Sequence, residues 1–201
     1  MIVFFRIFTV LTCIFCFFLF NAAADNYNIL VLSLKDGDVI IQLRPDLAPK
    51  HVAQIKKLTK EGAYNNVVFH RVIPGFMAQT GDVKFGKKDS IDFNLKNVGK
   101  GGSNYSDLPA EFSKQTFKRG TVGMARSQTL NSANSQFFIC FNDATFLNGQ
   151  YTVVGEVIKG MEVVDKIKKG TADNNGSVKN PDIINAAYLQ IDKKVEVEIK
   201  E

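Results

Sequence analysis

The sequence predicts a mainly β protein, a closed antiparallel barrel with helices covering its ends. Three observations carry this reading. Short stretches of apolar alternation recur along the chain, only two stretches switch to helical spacing, and turn residues separate them at short intervals. No repeat and no linker long enough to divide the chain is present.

The elements follow in order. Residues 28–34 alternate, with Leu30, Leu32 and Leu34 on one face, and Val39, Ile41 and Leu43 alternate in the same way. Asp36-Gly37 between them is a strong hairpin signal. Residues 49–61 take helical spacing, with Val52, Ile55 and Leu58 inward, lysines outward and His51 toward solvent. Gly62 ends that helix. Residues 67–73 form a β-branched apolar run stopped by Pro74-Gly75, and further strands are expected at 121–125, 136–141, 151–158 and 183–191. A second helix fits 161–169, where Val163, Val164 and Ile167 cluster ahead of Gly170. Residues 193–200 alternate at Val195, Val197 and Ile199, as an edge strand or a tail.

Composition narrows the class. Residues 1–24 hold 20 apolar residues, 7 of the 17 Phe and 2 of the 3 Cys, and Arg6 is their only charged side chain. The other 177 residues are about 40% apolar, a globular value that argues against disorder. There is no second long apolar run, so a polytopic membrane protein is excluded, and one remaining cysteine excludes a disulfide scaffold. A chain of 177 residues can bury a real core. Residues 1–24 read as a signal peptide, with an apolar stretch at 7–20 and Asn21-Ala22-Ala23-Ala24 before Asp25 as the cleavage region. A stretch of fourteen residues falls short of the ~20 that span a hydrocarbon core, which disfavours an uncleaved anchor. Thr12 before Cys13 disfavours a lipoprotein. The expected mature unit is 25–201, exported to the periplasm, with secretion or anchoring by residues 1–24 as alternatives. No stable membrane association is expected after cleavage.

Much chemistry is missing. Two histidines, His51 and His70, and one mature thiol, Cys140, leave no cluster for a metal. No nucleophile elbow, P-loop or dinucleotide fingerprint appears. Gly99-Lys100-Gly101-Gly102 reads as a flexible loop rather than an anion site. A net charge of +5 mixed with acids reads as a solvated surface, without nucleic-acid binding. Cys140, inside the run 137–141, reads as a small core residue. The activity is therefore expected to need no cofactor, metal or covalent intermediate.

The informative stretch is Phe69-His70-Arg71-Val72-Ile73-Pro74-Gly75-Phe76-Met77-Ala78-Gln79-Thr80-Gly81-Asp82, which sets one arginine among Phe, Met and Gln. Three further blocks follow in order: Gly120-Thr121-Val122-Gly123-Met124-Ala125, then Asn134-Ser135-Gln136-Phe137-Phe138-Ile139, then Phe146-Leu147-Asn148-Gly149-Gln150-Tyr151-Thr152-Val153-Val154-Gly155. Together they resemble the cyclophilin family of peptidyl-prolyl isomerases, from about residue 28 to residue 191. The resemblance implies an eight-stranded closed barrel capped by two helices, with the groove on its outer face. It implies Arg71 as the transition-state donor, Gln79 as its brace, and Phe76, Met77, Phe138 and Leu147 as the pocket for the proline ring. Ala125 and Arg126 match positions whose backbone meets the substrate chain, Gln136 would hydrogen-bond substrate carbonyls, and residues 99–103 would rim the groove.

Phe146 stands where well-known eukaryotic members carry Trp, Tyr151 where they carry His, and Arg126 where they carry Asn. These departures resemble the bacterial branch. Without the indole donor, weak cyclosporin binding is expected. The implied partners are proline-containing polypeptides, and the implied role is a monomeric, chaperone-like assistant to protein folding. Arg71 by itself would be an ordinary arginine; its block singles it out. Phe76, Met77 and Phe138 would ordinarily be core, so partial exposure in a groove is the discriminating expectation. His70 is expected to be structural. The rival reading is a binding module that holds proline-containing segments without turnover, which would not need the Arg71–Gln79 pair. Asn104-Tyr105-Ser106 and Asn175-Gly176-Ser177 match glycosylation acceptors, triplets common by chance.

Overall fold

The computed structural model describes residues 28–190; the signal peptide assigned to 1–24 and the tail at 193–201 lie outside the described residues. The strands are β1 (Ile29–Leu34), β2 (Gly37–Leu43), β3 (Val67–Val68), β4 (Arg71–Ile73), β5 (Met77–Thr80), β6 (Thr121–Met124), β7 (Phe137–Cys140), β8 (Val153–Lys159), β9 (Ile183–Ile184) and β10 (Ala186–Gln190). The helices are α1 (Pro49–Lys60) and α2 (Met161–Val164), with single 3-10 turns at Thr145–Leu147 and Ala172–Asn174.

Eight strands form one antiparallel sheet in the order β10-β1-β2-β8-β6-β7-β5-β4. Its strands curve as a half-barrel, and the closed ring expected from the sequence is not formed, because β10 and β4 are edges that do not pair. β3 and β9 leave the sheet as a ladder of their own, Val67 opposite Ile184 and Val68 opposite Ile183. The outer edge of β4 is met by the segment 170–178 instead. Val72 N–H donates to the Gly176 carbonyl at 2.7 Å, Gly170 N–H to the Val72 carbonyl at 2.9 Å, and Val178 N–H to the His70 carbonyl at 3.1 Å. An edge satisfied by a loop needs no strand.

The β1–β2 turn sits one residue earlier than Asp36-Gly37. Lys35 and Asp36 are the turn residues, and Gly37 already pairs with Leu34. The run 67–73 is split, because Val67 and Val68 pair with β9 while Arg71–Ile73 pair with β5, leaving Phe69 and His70 buried outside either pairing. β5 was hidden within the first motif. The second helix ends at Val164 rather than continuing to 169.

Helix α1 buries Val52, Ile55 and Leu58 against the sheet interior. Its first-turn amides have no side-chain cap from Ala48. The Glu111 carboxylate supplies one, accepting from Lys50 N–H at 3.1 Å and His51 N–H at 3.1 Å. The same carboxylate lies 2.7 Å from His51 Nδ1. His51 is therefore fully buried, contrary to the solvent-facing expectation, and Lys56 is also largely covered.

The core lies on the concave side, where Leu30, Leu32, Ile41, Phe137, Ile139 and Val154 pack with α1. A second cluster lies on the opposite face of β5, β6 and β7: Met77, Phe117, Phe138, Cys140, Ala144, Leu147 and Val153. In β7, Phe137 and Ile139 join the first cluster, and Phe138 and Cys140 the second. With both faces covered, the strand reads as a continuous apolar run. Burial pushes the Cys140 thiol up to about 12, with Asp143 adding to the effect, so it behaves as a core residue.

Candidate active site

Strand register assembles the site. Arg71 on β4 faces Gln79 on β5, Gln79 faces Phe138 on β7, and Phe138 faces Gly123 on β6. One row across four strands thus carries a cation, an amide, an aromatic ring and a residue with no side chain. The glycine is required there. A Cβ at Gly123 would meet Phe138 Cζ at 2.5 Å and Phe117 Cε1 at 2.7 Å, where those two rings stack 5.9 Å apart.

Over this row lies a cavity of about 380 Å³ lined by Arg71, Phe76, Met77, Gln79, Ala125, Arg126, Phe138, Phe146, Leu147, Gln150 and Tyr151. A neighbouring cavity of about 330 Å³ shares Gln79, Ala125 and Arg126 with it and adds Gln136, Gly99, Lys100 and Gly101. Every residue singled out from the sequence therefore lines one of two adjoining cavities. Gly102 and Ser103 are the exception within the expected rim, facing a separate cavity beside Lys84 and Tyr105. Gln150 was missed, although it lies inside the fourth motif block.

Exposure differs from expectation. Met77 and Phe138 are only 1% and 5% accessible, because both belong to the second apolar cluster and form a floor. Phe76 is half-buried, and Phe146, at 63% exposure, stands up as the rim. Phe146 packs on Phe76 with ring centroids 5.3 Å apart. Tyr151 meets Phe138 edge-on at 5.9 Å. The Arg126 guanidinium lies 4.5 Å above the Tyr151 ring and donates to the carbonyls of Gln150 and Ser127, each at 2.9 Å.

Arg71 is half-buried. Its Nη1 donates to Gln79 Oε1 at 3.2 Å. Gln79 Nε2 donates to Gln136 Oε1 at 2.9 Å, and Gln136 Nε2 donates to the Gly99 and Gly101 carbonyls at 3.0 and 2.8 Å. This chain fixes both amide orientations, since an amide nitrogen that already serves two carbonyls leaves its oxygen as the acceptor. Both Gln136 amide hydrogens are thus occupied. It links Arg71, through Gln79, to the glycine loop. The loop is not free either. Gly99 and Gly101 N–H donate to the buried Asp82 carboxylate at 2.7 and 2.9 Å.

On its other edge Arg71 meets Asn175. Nε donates to the Asn175 carbonyl at 3.1 Å and Nη2 to its side-chain Oδ1 at 3.0 Å. Nη2 makes that one bond, so one of its two hydrogens is free for a ligand. Burial lowers the Arg71 pKa, but a guanidinium is so strong a base that it keeps its charge at neutral pH. No carboxylate lines either cavity, whereas Arg71, Arg126 and Lys100 do.

His70, beneath Gly99, has no hydrogen-bond partner at either ring nitrogen, and burial holds its pKa down to about 4 against the pull of Asp82. Among the described residues no cluster of His, Cys, Asp or Glu could hold a metal, and no helix is long and apolar enough to cross a membrane.

Comparison with known proteins agrees with this geometry. Residues 29–189 match the model of the family described as cyclophilin type peptidyl-prolyl cis-trans isomerase. A Brucella suis protein named "Probable peptidyl-prolyl cis-trans isomerase" is 70% identical over 173 residues, covering 86% of this chain and 88% of that one. Peptidyl-prolyl cis-trans isomerase B of Escherichia coli is 40% identical over 149 residues, covering 70% and 84%. Among solved structures, a cyclophilin from Hirschia baltica superposes with a TM-score of 0.66 at 25% identity, covering 82% of this chain and 74% of that one. A Cryptosporidium parvum cyclophilin, crystallised in the presence of the dipeptide Ala-Pro, shares the fold with a TM-score of 0.68 at 24% identity, covering 82% and 99%. The chain belongs to the cyclophilin-type peptidyl-prolyl cis-trans isomerases.

Proposed function

We propose that this isomerase acts on exported proteins and that Arg71 stabilises the twisted amide of the X–Pro bond. Rotation about that bond costs ~18–20 kcal/mol because amide resonance is lost, and the uncatalysed change takes ~10–100 s. When the bond twists, the proline nitrogen regains its lone pair and becomes an acceptor. A donor at that point binds the twisted form better than either planar one, which is what catalysis requires. The observation that carries this reading is the free Nη2 hydrogen of a braced, charged Arg71 on a cavity floored by Met77 and Phe138. The apolar floor would hold the pyrrolidine ring, so that one side of the bond is fixed while the other rotates. Preorganised donors of this kind need no proton transfer. A short proline-containing peptide, the class to which Ala-Pro belongs, is the ligand this groove would take.

The test is cis/trans isomerisation of a short X–Pro peptide by residues 25–201. Arg71→Ala is expected to lower kcat/KM by about a hundredfold or more. Unchanged turnover in that variant would overturn the role given to Arg71. The export signal read in residues 1–24 supports a periplasmic role in folding, and Phe146 in place of an indole supports weak cyclosporin binding.

A further inference from the structure

We infer that Asn175 is a positioning residue that clamps Arg71 from the side opposite Gln79. The inference rests on the role proposed for Arg71. The Nε edge of the guanidinium is held by two oxygens of one residue: the backbone carbonyl of Asn175 at 3.1 Å from Nε, and its Oδ1 at 3.3 Å from Nε and 3.0 Å from Nη2. Gln79 takes Nη1 on the other side. With both edges held and the second Nη1 hydrogen on Met77 Sδ at 3.9 Å, the guanidinium plane is restrained and its remaining Nη2 N–H is aimed before substrate arrives.

The local fold is built to put Asn175 there. Its φ of +50° is left-handed, a conformation Asn tolerates far better than most residues. Gly176 follows at φ +74°, and a Cβ there would meet Ile73 Cγ1 at 2.5 Å. This tight approach lets the Gly176 carbonyl reach Val72 N–H at 2.7 Å, next to Arg71 on β4. Gly176 N–H closes the turn on the Thr171 carbonyl at 2.9 Å, and Ser177 bridges Arg71 itself. Asn175 and Arg71 are 104 residues apart in sequence, yet the 170–178 segment is stitched to the strand that carries the arginine. Both acceptors are neutral, so the clamp orients the guanidinium without neutralising it.

The experiment compares Asn175→Gly, which keeps the left-handed backbone and removes the amide, with Asn175→Asp, which restores the oxygen. Peptide isomerisation is followed for both, for Arg71→Ala and for the double variant. Asn175→Gly is expected to lower kcat about tenfold with KM within about twofold. Asn175→Asp should restore the orientation of the guanidinium but recover only part of kcat, because its carboxylate offsets the Arg71 charge. The Arg71 Nε–H resonance should exchange faster with solvent in Asn175→Gly, and the glycine substitution should have no further effect on the Arg71→Ala background. Thermal unfolding checks the fold, and Asn175→Ala repeats the test without glycine's added chain freedom. Wild-type kcat in Asn175→Gly beside an inactive Arg71→Ala overturns the clamp and leaves Arg71 standing. An equal loss in both backgrounds also overturns it, since the effect would not run through Arg71. Full activity in Arg71→Ala overturns the role of Arg71 and the clamp with it.

Discussion

Arg71 is held by neutral acceptors only. Gln79 and Asn175 accept from it, and no carboxylate among the described residues pairs with it. A carboxylate partner would orient the guanidinium equally well but would cancel its field in the groove. Neutral braces keep the positive charge available to an acceptor that exists only at the twisted geometry. At the rim, Phe146 offers a large exposed apolar face and no donor. Phe146→Trp should therefore raise cyclosporin affinity by about tenfold, a gain of one hydrogen bond, while peptide turnover changes little. Fluorescence titration with cyclosporin measures the first, and the isomerase assay the second.

At the scale of elements, the site is a row across β4, β5, β7 and β6, and each strand contributes by register. Alternation sends Ala78, Phe137 and Ile139 into the core and leaves Gln79 and Phe138 beneath the groove. The row works because Gly123 leaves space for the Phe117–Phe138 stack. Gly123→Ala should push Phe138 into the cavity, destabilising the fold by about 1–3 kcal/mol and raising KM. Urea unfolding with an unchanged slope and a lowered midpoint measures the first effect. A midpoint equal to wild type would show that the rings can yield.

At the scale of the molecule, the half-barrel separates a large concave core from the smaller cluster that floors the groove. His70 lies beneath Gly99, buried, with no hydrogen-bond partner at its ring nitrogens. Its pKa is about 4 when folded against the ordinary 6.5, so the unfolded chain binds the proton first. Stability is complete above about pH 6.5 and is lost as pH falls toward 4, by roughly 3 kcal/mol in all. The carboxylates of Asp46, Asp165 and Glu111, whose pKa values lie below their ordinary 3.8 to 4.5, stabilise the fold above that range and lose the contribution as pH falls through it. His70→Phe should flatten the unfolding midpoint between pH 6.5 and 4; an unchanged slope would remove His70 as the cause. For the whole chain, export should leave Asp25 as the N-terminal residue, which N-terminal sequencing of the exported protein reads directly.

What the amino-acid sequence determined by itself was local or carried by contiguous motifs. Alternation marked β1 and β2, helical spacing marked α1, and four blocks marked the family and most of the residues that line the groove. Tertiary structure decided what depends on contacts distant in sequence. His51 is buried because Glu111, 60 residues away, caps the helix that carries it. Met77 and Phe138 form a floor because a second cluster packs behind them. Gln136 is occupied because the glycine loop folds over to meet it, and the sheet stays open because a loop takes its edge. In the sequence Asn175 stood out only within the triplet Asn175-Gly176-Ser177, a glycosylation match common by chance. Only the stitching of 170–178 to β4 placed it on Arg71, because a side chain's hydrogen-bond partner is set by which backbones meet, not by its own neighbours in the chain.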